Sequence, residues 1–279
     1  MIEEIIRQAL IEDIGDGDHS SLACIPDTAT GTAKLLVKDE GVLAGVELAE
    51  IICGIVDPEL EFEQILSDGD RVQFGDIAFY LKGSAQSILK AERLVLNFMQ
   101  RMSGIATTTA SYVDLIKDTR TRLLDTRKTT PGIRYMEKWA VRIGGGHNHR
   151  FALYDMFMLK DNHVDFAGGI EQAILKTEAY LKNTGKDLKV EIEVRNINEL
   201  EQVLAIGKVD RIMLDNFTPE LLKVALEKID GRFETEASGG ITKDTIQAFA
   251  ATGVDFISVG ALTHSFKSLD LSLKATFNH

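Results

Sequence analysis

Apolar and polar residues alternate by one rule in the first third of the chain and by another in the rest. Near the start, Ile2, Ile5, Ile6, Ala9 and Leu10 recur at helical spacing and predict an amphipathic helix over residues 1–12. Thr30 to Val46 reads as extended, with the short apolar runs AKLLV and GVLAG split by the turn signal Lys38-Asp39-Glu40-Gly41. LEFEQIL, RVQF and IAFYLKG continue this style, separated by Ser67-Asp68-Gly69-Asp70 and Gly75-Asp76. Short strands joined by tight turns predict an antiparallel α+β domain. Ser84 is placed to cap a helix running on from Gln86. Ile88, Ala91, Val95, Phe98, Met99 and Met102 share that helix's apolar face, and Lys90, Arg93, Asn97, Gln100 and Arg101 its polar one. A polar stripe of this kind, taken alone, reads as a solvated face.

From Arg122 onward, strand and helix patterns alternate. RLLDT, MFMLK, KVEIEV, RIMLD, RFETEAS and DFISVG are strand candidates, with helical segments such as Asn198 to Ala205, Pro219 to Lys228 and Lys243 to Ala251 between the later ones. Pro219 suits a first helical turn, where no backbone N–H is needed, and Thr218 is its expected cap. Such alternation implies a parallel sheet. Polar residues stand at nearly every strand end: Asp125 and Arg127, Lys160, Glu193, Asp215, Ser238 and Gly260. An open doubly wound sheet would gather ligand groups at one crevice. Recurrence around the sheet favours an α/β barrel, which does its chemistry at the C-terminal strand ends.

Charge sharpens this picture. A net charge of −12 over 279 residues repels nucleic acid and anionic lipid at long range, so an anionic ligand needs a local concentration of positive charge. No apolar run approaches the ~18 residues of a membrane span. The first residues, MIEEIIRQALIEDIGDGD, lack the basic start and apolar block of a signal peptide, which makes the expected location cytoplasmic. Cys24 and Cys53 are too few for a disulfide framework or a thiolate metal site.

The positive charge gathers between Asp125 and His163, where Arg127, Lys128, Arg134, Lys138, Arg142, Arg150 and Lys160 lie among glycines and threonines. Several guanidinium groups suit a ligand with several carboxylates or phosphates. Gly144-Gly145-Gly146 permits close approach of a ligand but matches neither the phosphate loop nor the dinucleotide fingerprint. Lys160, ending an apolar strand, can serve as an anion ligand or as a Schiff-base lysine. Glu193 and Asp215 end neighbouring strands and can hold Mg²⁺, contact ribose hydroxyls or balance the arginines; Glu191 shares the parity of Glu193. Ser238-Gly239-Gly240 and Ser258-Val259-Gly260-Ala261 read either as phosphate-binding turns or as plain tight turns. Histidines among arginines make a poor zinc site, and His149 and His264 suit hydrogen bonding to anions better. The string HNH is shared with a nuclease motif, against which the acidic chain argues; Asp16-Gly17-Asp18 lacks the rest of a calcium loop.

DTRKTTPGIR, GGGHNHR, MLKDNH, EIEV, LDN, EASGGI and SVGALTHS occur here in the order seen in type II phosphoribosyltransferases, and with EDIGDGDHSS and AERLVLNFMQRMSGIAT the chain resembles the quinolinate phosphoribosyltransferase family over nearly its full length. The resemblance implies an α/β fold: an N-terminal α/β sandwich domain plus an incomplete α/β barrel of about seven strands. The corresponding domains are residues 1–104, joined by the C-terminal segment 265–279, and the barrel 105–264. It implies a homodimer at least, in which the first domain of one subunit covers the other's barrel mouth and Arg93 reaches the partner's site. Arg127, Arg150 and Lys160 would bind the quinolinate carboxylates with His149 beside them, and Lys128 would reach phosphate. Glu193 and Asp215 would contact the ribose and Mg²⁺ of phosphoribosyl pyrophosphate, and Ser238, Gly239, Gly260 and His264 would cradle its phosphate. Lys160, Glu193 and Asp215 are thereby the implied catalytic residues, in a reaction that yields nicotinate mononucleotide, pyrophosphate and carbon dioxide. Arg195 departs from the family, which usually has an acidic residue after EIEV; it either adds a basic group near the metal carboxylates or points outward. The rival readings are a relative acting on another base, such as the molybdenum-operon paralogue, a Schiff-base aldolase built on Lys160, and a non-catalytic anion-binding protein.

Overall fold

The computed structural model describes residues 2–278, with side chains through residue 275; Met1 and His279 of the expected first domain lie outside the described residues. The chain forms two compact units: Met1–Ala110 with Thr129–Gly145 and Ala261–His279, and Ser111–Lys128 with Gly146–Gly260.

The first unit is built on β1 (Thr30–Val37), β3 (Glu61–Gln64), β5 (Ile77–Ser84) and β12 (Leu271–Asn278), antiparallel in the order β12-β1-β5-β3. Gly31, Ala33, Leu35 and Val37 alternate inward along β1, the period-two pattern of a sheet with one covered face. RVQF contributes only β4 (Arg71–Val72), which pairs with β2 (Gly41–Val42) outside this sheet. Ser84 caps its helix as expected: Ser87 N–H donates to Ser84 Oγ at 3.3 Å at the start of Ala85–Ile116. The C-terminal segment returns to this unit through β12, and Leu269 N–H donates to Gln100 O at 3.0 Å beside it. Gly104 is required by that return, since a Cβ there would stand 2.3 Å from Lys267 O.

Extended structure was expected through Val46, yet Val46–Val56 is a helix. Its apolar residues leave no clear polar stripe, so no helical period stands out. Its start is set from outside: Gly45 adopts φ 96°, and the Asp68 carboxylate accepts from Val46 N–H at 2.8 Å.

The second unit holds six parallel strands: β6 (Arg122–Leu124), β7 (Phe157–Leu159), β8 (Val190–Val194), β9 (Arg211–Asp215), β10 (Glu234–Ser238) and β11 (Phe256–Ser258). Every strand expected in this half is present, in the order β6-β11-β10-β9-β8-β7. That is the order of a barrel opened beside its first strand. A seventh position survives only as a parallel bridge between Leu124 and His147. The chain then turns instead of extending, because Asp155 accepts from the N–H groups of Phe151 and Ala152. Thr218 caps Pro219–Ile229 by accepting from Leu221 N–H at 3.3 Å. The helix expected over Lys243–Ala251 is shorter, Ile246–Ala250. Among the described residues no helix is long and apolar enough to cross a membrane.

Candidate active site

Register decides which side chains share the inside of this open barrel. Glu191 pairs with Arg211 and Arg211 with Glu234; Glu193 pairs with Met213 and Met213 with Glu236; Asp215 pairs with Ser238. Paired residues of parallel strands point the same way, and so do residues two apart on one strand. Lys160, just past β7, and Gly260, just past β11, continue the same parity toward the C-terminal rim.

At the rim, Lys160 Nζ donates to Glu193 Oε2 at 3.3 Å. Burial raises the Glu193 pKa, with Lys160 opposing and Asp215 adding to the rise. Asp215 is likewise raised by burial and held down by Lys160 and Lys128. Two half-shielded carboxylates and two ammonium groups therefore act on one another here. The guanidinium of Arg150 donates to Met156 O at 3.2 Å; its pKa is lowered first by burial and then by the positive charge of Arg127. Two guanidiniums close enough to repel, with Arg127 itself exposed, make a seat for an anion.

The turn after β10 is bound to the turn after β9. Asn216 N–H donates to Ser238 O at 2.9 Å, and its side-chain amide donates to Asp215 Oδ2 at 2.6 Å. Gly239 has φ 100°, and a Cβ there would lie 2.2 Å from Asn216 Oδ1. Glycine is needed for Asn216 to hold Asp215. LDN and SGG are thus one structural device, and Asn216 is a site residue that the strand-end pattern did not single out.

His149, expected beside the carboxylate-binding groups, turns its ring inward. Nε2 lies 3.0 Å from Glu191 Oε2 and 3.2 Å from Glu236 Oε2, with both carboxylates fully buried. Burial opposes a charge on His149, but Glu191 and Glu236 overcome it and raise the pKa to about 9. Glu191 rises to about 7 through burial and the charge of Glu236. The group therefore keeps a proton between ring and carboxylates at neutral pH. Asp125, also buried, accepts from His149 N–H at 2.8 Å and from the Asn148 amide at 2.6 Å.

Arg93 and His264 belong to the first unit, and both are exposed. The polar stripe around Arg93 divides: Arg93 and Asn97 face outward, whereas Arg101 Nε donates to buried Glu137 at 2.8 Å and Gln100 donates to Leu271 O. Arg195 is exposed and paired with Glu199 at 2.7 Å and Asp165 at 3.2 Å, clear of the carboxylate pair.

With this geometry in hand, the comparisons decide the family. The model of the quinolinate phosphoribosyl transferase N-terminal domain matches residues 18–103, and that of the C-terminal domain matches 105–274. The chain belongs to the quinolinate phosphoribosyltransferase family. Quinolinate phosphoribosyltransferase [decarboxylating] 1b of Nicotiana tabacum is 46% identical over 98% of this chain and 82% of its own length. The probable nicotinate-nucleotide pyrophosphorylase [carboxylating] of Bacillus subtilis is 39% identical over 100% of this chain and 94% of its own. A crystal structure of NadC from Streptococcus pyogenes superposes with a TM-score of 0.93 at 42% identity, covering 100% of this chain and 97% of that one. Within this family, Lys160, Glu193 and Asp215 occupy the barrel rim of a phosphoribosyltransferase.

Proposed function

We infer that this chain transfers the phosphoribosyl group of phosphoribosyl pyrophosphate to quinolinate and releases pyrophosphate and carbon dioxide, giving nicotinate mononucleotide for NAD biosynthesis. The observation that carries the reading is the arrangement at the rim: the repelling pair Arg127 and Arg150, and beside it the cluster of Lys160, Lys128, Glu193 and Asp215. The first pair suits the two carboxylates of quinolinate. The second suits a sugar that becomes cationic as pyrophosphate leaves.

In this reading Arg127 and Arg150 bind and orient the diacid, aiming its ring nitrogen at the anomeric carbon. Glu193 and Asp215 stabilise positive charge as it develops on the ribose. The nitrogen–carbon bond forms as pyrophosphate departs. The pyridinium so made accepts the electron pair of the breaking carbon–carboxylate bond, and carbon dioxide is lost. Lys160, whose Nζ is given to Glu193 as a donor, serves here as a binding group and not as a Schiff-base nucleophile. Lys128 reaches phosphate, while the turns at Ser238–Gly239 and Gly260 and the side chain of His264 cradle it. His149 stands beside the diacid. Glu193 and Asp215 fit Mg²⁺, because two adjacent carboxylates whose pKa values are pushed up suit a divalent cation. When bound, Mg²⁺ supplies neutralisation of the charge on the leaving pyrophosphate.

Arg93 is proposed to complete the site of a second subunit in a homodimer, since it is exposed on the first unit. Mixing Arg93→Ala with Lys160→Ala subunits then restores activity at one site in each mixed dimer; no recovery above either parent defeats the shared site. A cytoplasmic location belongs to this proposal too, and fractionation checks it, since plant relatives are named as chloroplastic or mitochondrial. The reaction is tested by supplying purified protein with quinolinate, phosphoribosyl pyrophosphate and Mg²⁺, and following nicotinate mononucleotide by chromatography. Product from quinolinate and none from nicotinate is the expected result. Product from nicotinate alone assigns the chain a different base.

A further inference from the structure

His149, Glu191, Glu236 and Arg211 form a closed group beneath the rim. The two carboxylate oxygens that face His149 Nε2 also face Arg211: its Nη1 lies 3.3 Å from Glu236 Oε2 and 3.8 Å from Glu191 Oε2. The guanidinium of Arg211 stacks on the Phe256 ring, 4.1 Å from its centroid, which fixes it in place. Both acidic oxygens are thus held between imidazole and guanidinium.

His149 Nε2 and the two carboxylates are close enough together to suggest a metal site. The surroundings argue otherwise. Arg211 already engages the same oxygens, and its fixed positive charge opposes a second cation. Two carboxylates, one guanidinium and one retained proton also sum to zero, so the group is neutral without a metal.

The other ring nitrogen is committed as well. His149 Nδ1 accepts the Arg150 N–H at 2.7 Å, which requires the lone pair on Nδ1 and places the ring proton on Nε2. An imidazole has two nitrogens, and both are used within the protein. The ring is also almost fully shielded, with its side chain 5% exposed.

We propose that His149 is a positioning residue and not a substrate ligand: Glu191 and Glu236 seat its ring, and the ring fixes the main chain that carries Arg150. Asp125 pins the same three residues, Asn148 to Arg150, through the Asn148 amide and the His149 N–H. Arg150 is then held at both ends, by its own N–H on His149 and by its guanidinium on Met156 O. This deepens the proposed function and rests on it, because Arg150 matters here as a quinolinate-binding group.

The test is a double-mutant cycle on Glu236→Gln and His149→Ala. Glu236→Gln keeps the side chain's shape and lies out of the substrate's reach. It is expected to raise KM for quinolinate about tenfold, the size seen when the support behind a binding group is lost. KM for phosphoribosyl pyrophosphate should stay within about twofold. The double variant should be no worse than His149→Ala alone, since both changes break one linkage. Additive losses, or a Glu236→Gln protein that melts earlier with both KM values unchanged, overturn the proposal. So does stoichiometric zinc in the purified wild-type protein. Nitrogen NMR of the wild-type imidazole gives a reading that needs no variant: the Nε2–H tautomer is expected, unmoved by quinolinate. A ring resonance that shifts as a new donor to quinolinate overturns the positioning role. A wild type inactive on quinolinate defeats the reaction assignment, and the tautomer then still decides whether the ring is committed as described.

Discussion

Glu191 and Glu193 lie two residues apart on β8 and point to the same side, yet they have opposite fates. Glu191 is fully buried, registered against Arg211 and enclosed with His149 and Glu236. Glu193 sits one layer nearer the rim, registered against Met213, and meets the half-exposed Lys160. The first carboxylate is satisfied inside the protein and holds structure. The second has an incomplete set of partners and is left to meet a ligand. Depth inside the barrel, and not residue type, separates scaffold from chemistry.

Substitutions at the two positions should therefore separate stability from activity. The largest effect is expected from Glu191→Ala, which leaves His149 and Arg211 facing one carboxylate too few. Breaking a buried charged group this way costs about 3–5 kcal/mol, read as a lower urea midpoint with unchanged slope. Glu193→Gln should leave that midpoint in place and lower kcat/KM by about 10²–10³-fold in the pyrophosphate-release assay. The reverse pattern, stability lost at Glu193 and activity at Glu191, would break the comparison. Gly239→Ala comes next, at about 1–3 kcal/mol of backbone strain, with a fall in activity because Asn216 can no longer hold Asp215.

A smaller effect is expected from pH. His149 has its folded pKa raised to about 9 from an ordinary 6.5, and Glu191 is raised to about 7 from 4.5. Groups with raised folded values bind more protons folded than unfolded, so their contribution is complete at low pH and declines as pH rises. The melting temperature should fall between pH 6.5 and pH 9 in calorimetry. The fall should persist in Glu193→Gln and shrink in Glu236→Gln. The smallest effect is at Arg195→Ala, whose exposed pairs with Glu199 and Asp165 predict no change in melting temperature or turnover.

Much of this architecture was legible in the chain because it is local. All six parallel strands announced themselves as apolar runs ending in a polar residue, and Ser84 and Thr218 cap the helices their positions suggested. What escaped had distant causes. Val46–Val56 is a helix whose cap comes from Asp68. The basic stretch looked like one cationic seat, yet Arg134–Ile143 is a helix in its midst. There Lys138 is buried and Arg134 donates to Thr129, so those two charges serve structure. Glu137, between them, takes Arg101 out of the solvated stripe.

The sequence by itself determined the strand–helix alternation, the family, and the row of residues at the strand ends, since side-chain parity and turn chemistry are set by neighbours along the chain. Only the tertiary structure decided which of two carboxylates of equal parity meets a ligand, that LDN and SGG form one device, and that the His149 ring faces inward. Those outcomes depend on register between strands far apart in sequence: Arg211 beside Glu191 and Asp215 beside Ser238 are consequences of how β8, β9 and β10 align.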